Sequence, residues 1–158
     1  MGRIAYQHNY KLSSNHSQSW TLLVQLSSAH DQLIAEMENL DRLTLGPTPE
    51  LGEITTGRWR ISQASLRRRS LASTVFGFLA GRLDGQELAR VKQVQSADQE
   101  MMRRSANHVG KWTARTICED WKGYCQASRD IRQHMKAHIL LEKQSLYPLL
   151  ELLAERGI

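Results

Sequence analysis

Helix breakers are scarce in this sequence, and that scarcity constrains the fold more than any other feature. Prolines stand only at Pro47, Pro49 and Pro148, and a proline inside a helix costs about 3 kcal/mol or more. Long stretches are therefore free to be helical. No segment sustains the alternation of apolar and polar residues that marks a half-buried strand. Four helical segments are expected. The first covers residues 19–44 and is closed by the turn-rich "LGPTPELGE". The second covers 55–83 and stops at Asp84-Gly85, a strong turn signal. The third runs from Gln86 to about Thr116, and the fourth from near Glu119 to about Glu155, with Gly157 as a stop. Four long helices with short connections predict an all-α fold, an up-down-up-down antiparallel four-helix bundle.

The chain's 158 residues suit one domain with a sizeable core. Residues 1–16 read as a polar N-terminal arm on which Tyr6 and Tyr10 could dock, and residues 17–158 as the bundle. No apolar run approaches the ~18 residues needed to span a bilayer, and the N-terminus lacks the apolar region of a secretory signal. Cys118 and Cys125 lie seven residues apart on expected helix, about 10 Å of rise. That is beyond disulfide reach, and two free thiols imply a cytoplasmic protein. The net charge of +5 is modest and gathers in "GRWRISQASLRRRS", which holds Arg58, Arg60, Arg67, Arg68 and Arg69. A basic helix with a tryptophan could hold phosphates, but no nucleic-acid motif of fixed spacing accompanies it. The run reads as a solvated helix face.

A bundle seam repeats with spacings that alternate between three and four. In the last helix the series Trp121, Tyr124, Ser128, Ile131, Met135, His138, Glu142 obeys that rule. His134 falls beside the seam. The first helix gives Leu23, Leu26, His30, Leu33, Met37, Leu40, and the third gives Val91, Val94, Asp98, Met101, Ser105, His108, Trp112. Three helices each aim a histidine at the bundle axis. Buried imidazoles and a carboxylate without partners cost several kcal/mol, so these groups must meet one another, water or a metal. His108 and His138 are thirty residues apart, a spacing that lets a turn bring both to one level.

The stretch "KAHILLEKQSLYPLL" resembles the last helix of hemerythrin-like proteins, the histidine-histidine-glutamate cation-binding domains. His138, Glu142, Leu146, Tyr147 and Pro148 match that family's motif in order, while His30 and His108 match its first- and third-helix histidines. The resemblance spans roughly residues 20–152. It implies a hemerythrin-like bundle and a non-haem di-iron centre that binds oxygen or related small ligands.

The second helix departs from the pattern. Thirty residues before His108 stands Phe78, and four further on stands Arg82. The seam Ile61, Ala64, Arg68, Leu71, Val75, Phe78, Arg82 agrees. Phenylalanine thus occupies the expected histidine position and arginine the expected bridging carboxylate. An intact di-iron centre is not expected. The remaining candidates, His30, His108, His138 and Glu142, would hold a single iron (or zinc), or no metal at all, with Arg82 paired to Glu142 or Asp98 in its place.

The expected function is accordingly a non-enzymatic small-ligand or redox sensor, or a regulatory binding module. The alternative is a genuine iron protein that binds oxygen, nitric oxide or iron. Ferritin-like di-iron oxidases use Glu-x-x-His pairs, which this chain lacks, and it carries no phosphate loop or nucleophile elbow. A small ligand or a protein partner is expected, and neither nucleic acid nor membrane.

Overall fold

The computed structural model describes residues 17–158. The polar arm and the docking of Tyr6 and Tyr10 lie outside the described residues. Five helices follow one another: α1 Gln18–Leu43, α2 Leu51–Ala80, α3 Gly85–Lys111, α4 Ala114–Glu119 and α5 Trp121–Glu155. No strand occurs among the described residues. The four long helices form a helical bundle, α1 against α2 and α5, and α3 against α5 and α2.

Local chemistry sets the ends. The Ser17 hydroxyl caps α1 by accepting from the Trp20 N–H, and Pro47 and Pro49 keep the connection to α2 non-helical. Gly85 has φ +56° at the start of α3, a left-handed conformation that glycine adopts without a Cβ penalty. The connection beyond α3 differs from a simple turn. Thr113 and Thr116 form a reciprocal cap that starts the six-residue α4, and the Asp120 side chain then caps α5 by accepting from the Gly123 N–H. A Cβ at residue 123 would overlap that carboxylate. Cys118 and Cys125 consequently lie on two helices, not one, and both are free thiols.

The interior is layered. One apolar cluster gathers Leu26, Val75, Phe78, Val94 and Leu146 among others. A second holds Leu33, Met37, Ala64, Met101 and Ile139, and a third Leu40, Ile54, Trp112, Ile117 and Tyr124. Polar side chains separate these layers. No helix among the described residues is long and apolar enough to cross a membrane.

Candidate functional site: a buried charged centre

Between the first and second apolar layers, each long helix contributes a polar side chain to one buried centre. His30 follows Leu26 and precedes Leu33 on α1, Arg68 lies between Ala64 and Ala72 on α2, Asp98 between Val94 and Met101 on α3, and Glu142 between Ile139 and Leu146 on α5. The flanking residues belong to the two apolar clusters, so the seam itself carries these groups inside. His30, Arg68 and Glu142 are 0 % exposed and His138 is 6 % exposed.

Arg68 organises the carboxylates. Its Nη1 donates to Glu142 Oε1 at 2.5 Å, and its Nη2 lies 2.8 Å from Asp98 Oδ1 in an ion pair. His138 Nε2 sits 3.1 Å from both Asp98 Oδ1 and Glu142 Oε1. The other Glu142 oxygen, Oε2, accepts from His30 Nε2 at 2.5 Å. With that nitrogen protonated, His30 Nδ1 accepts from the Tyr147 hydroxyl, also at 2.5 Å. Burial and the negative charges of Asp31 and Glu142 push Tyr147 up to about 12, so it stays a donor. Both oxygens of Glu142 are thereby satisfied, as a buried carboxylate requires.

The electrostatics follow from this geometry. Burial pushes the Glu142 carboxyl up, but the hydrogen bonds from His138 and His30 and the charge of Arg68 outweigh it and hold the pKa at about 2. At Asp98 burial is likewise overcome, by the His138 hydrogen bond and Arg68, and the carboxyl lies below its ordinary value. Burial lowers His138, yet its bonds to Asp98 and Glu142 prevail and raise it.

His30, His138 and Glu142 thus come together as the seam spacing predicts, and His134 is exposed beside the seam. His108 does not join them. It lies ten residues along α3 from Asp98, about 15 Å of helical rise, where its ring stacks on Tyr124 with centroids 6.1 Å apart. The expected level was set by a thirty-residue spacing, but α4 lengthens the connection, so that Asp98, forty residues before His138, meets it. Phe78 belongs to the first apolar cluster, away from the charged centre. Arg82 pairs with neither Glu142 nor Asp98. It lies beyond the last turn of α2, donates to the Phe78 carbonyl at 3.0 Å, and covers the Phe78 ring at 3.9 Å. The arginine that does reach Glu142 is Arg68. The basic run is therefore not one solvated face, because Arg67 is exposed and bonds Gln32 while Arg68 is fully buried.

Asp98, His138 and Glu142 each offer a ligand atom within 4.8 Å of the others, a spacing that could hold a metal ion. Arg68 does not leave it room. Its guanidinium touches both carboxylates, and a cation could reach those oxygens only by displacing it. With Arg68 in contact with both carboxylates, the residues as folded do not fit a di-iron group. Comparison with known proteins finds no matching family model, curated protein or solved structure.

Proposed function

We propose that this chain is a non-enzymatic binding module: an up-down-up-down four-helix bundle of the hemerythrin-like kind in which a buried arginine has replaced the metal. The observation that carries this reading is the contact of Arg68 with both Glu142 and Asp98 in the bundle interior. Two acids at the centre need compensating charge. Arg68 supplies one positive charge, and His138, whose pKa its bonds to Asp98 and Glu142 raise against burial, hydrogen-bonds to both acids. The polar chemistry of the centre, imidazoles and a glutamate from two helices, then serves to fix the bundle's geometry. A small-ligand sensor or regulatory module needs such a rigid frame and no redox-active ion.

The grouping of Asp98, His138 and Glu142 supports a second reading, a single-metal protein binding oxygen, nitric oxide or iron. Metal analysis of protein purified from iron-supplemented cells separates the two. The arginine-centred reading expects far less than one metal per chain. Stoichiometric iron or zinc would overturn it.

A further inference from the structure

A second polar layer lies between the second and third apolar clusters, and the charged centre does not account for it. There a cavity of about 470 Å³ separates α2 from α3, with Tyr124, Ser128 and Met135 of α5 behind it. Its size falls within the ~300–1,000 Å³ of small-molecule sites. Met37, Ile61, Met102, Val109, Ile131 and Met135 give it an apolar wall. Methionine side chains adapt to irregular apolar ligands. Met102 and Val109 are 45 % and 54 % exposed and mark the mouth.

The polar part of the wall is of one sign. Arg58, Arg68, Arg69 and Arg132 line the cavity, and no aspartate or glutamate does. Arg132 is already held by Asp41, and Arg68 by Glu142 and Asp98. Arg58 and Arg69 pair with no carboxylate among the described residues. Arg58 lies over the Tyr124 ring, 5.8 Å from its centroid. Two fully buried side chains on the cavity wall also carry unpartnered polar atoms: Tyr124 through its hydroxyl and Arg68 through Nε. Buried polar atoms of this kind ordinarily have partners. His108 reports the same field, since burial and the charges of Arg58, Arg132 and Lys111 push it down to about 4. It is a neutral imidazole at pH 7, able to donate or accept.

We propose that this cavity is the ligand site of the module and takes an amphipathic organic anion, a carboxylate on a flexible aliphatic body. The carboxylate lies toward Arg58, Arg69 and the Tyr124 hydroxyl, and the aliphatic body lies along the methionines. An uncharged polar ligand would leave two guanidinium groups uncompensated, and a purely apolar one would leave Tyr124 without a partner. This assignment rests on the reading of the chain as a binding module.

The test is calorimetric titration of the full chain with decanoate and, separately, with decan-1-ol. Decanoate should bind once per chain and at least tenfold more tightly than the alcohol, the ratio expected when a hydrogen bond to a charged group is lost. Replacing both Arg58→Ala and Arg69→Ala should weaken decanoate about tenfold or more and the alcohol by clearly less, so that the preference for the acid is lost. Ala106→Trp, placed on an exposed stretch of α3 at the cavity wall, should abolish both while melting remains cooperative. Equal affinity for acid and alcohol, decanoate binding that survives the double substitution, or no binding up to the solubility limit would each overturn the proposal. Metal analysis of the same sample keeps the two readings apart. Metal-free protein that ignores decanoate sinks the anion site alone, whereas stoichiometric metal sinks the arginine-centred reading and leaves the decanoate result to be judged separately.

Discussion

Arg68 Nη1 lies 2.5 Å from Glu142 Oε1 across the centre of the bundle, and neither side chain reaches solvent, at 1 % and 0 % exposure. Removing one partner of a buried ion pair leaves an uncompensated charge, which costs about 3–5 kcal/mol. Arg68→Ala should therefore lower stability by about that much in chemical denaturation. In a Glu142→Gln background the same substitution should cost less, with a coupling of about 0.5–3 kcal/mol. Arg82→Ala, which removes only a surface contact with Phe78, should change stability by about 0.5 kcal/mol or less. Additive losses at positions 68 and 142 would show that the pair is not coupled.

Tyr147 orients the whole arrangement through His30. Glu142, an acceptor only, takes the Nε2 proton, and the Tyr147 hydroxyl donates to Nδ1 and secures that tautomer. Tyr147→Phe deletes one oxygen and leaves a fully buried imidazole nitrogen unpartnered. The expected loss is about 1–3 kcal/mol. It should be accompanied in NMR spectra by a change in the His30 tautomer population. An unchanged His30 spectrum would mean that Glu142 alone sets the tautomer.

Stability should depend on pH from both sides. Glu142 and Asp98 have depressed pKa values, so their contribution is present above their ordinary values of 4.5 and 3.8 and is lost as pH falls, for Glu142 down to about 2. For Glu142 this amounts to ~3 kcal/mol. His138 is raised above 6.5, so its contribution is complete below that value and fades as pH climbs through the higher folded value. Melting temperature should peak at about pH 5–6.5. Glu142→Gln should flatten the acid limb measured by circular dichroism between pH 5 and 2. An acid limb of the same steepness in the variant would assign the loss to other carboxylates.

How far the sequence discloses this centre depends on which property is asked of it. The three-four spacing places His30, Arg68, Asp98, His138 and Glu142 on their inward seams, because burial is periodic along a helix. Level is a different matter. It depends on the connection, and the α3–α5 connection contains α4, whose Thr113–Thr116 cap is a short local signal inside what reads as continuous helix. Asp98 and His138 are equidistant from Cys118 within that connection, so they meet, while His108 falls three turns away beside Tyr124. Anchoring the count on Asp98 instead of His108 leads thirty residues back to Arg68. An inward arginine facing Glu142 was thus legible in kind and misplaced in position, since it is Arg68 and not Arg82. The cavity was not legible at all, since its wall gathers residues from four helices whose relative levels the spacing does not set.

The most direct measurement is the melting temperature of the wild type and of Arg68→Ala with and without added zinc or, anaerobically, ferrous iron. With the guanidinium gone, Asp98, His138 and Glu142 present an imidazole and two carboxylates to one space, a donor set suited to either ion, with His30 bonded to Glu142 beside them. Ligand bound only to the folded state raises stability by about 2.7 kcal/mol at a hundredfold excess over the dissociation constant. The arginine-centred bundle predicts a saturable rise in melting temperature for Arg68→Ala and none for the wild type. An equal rise in both proteins, or a rise in the wild type alone, would contradict it.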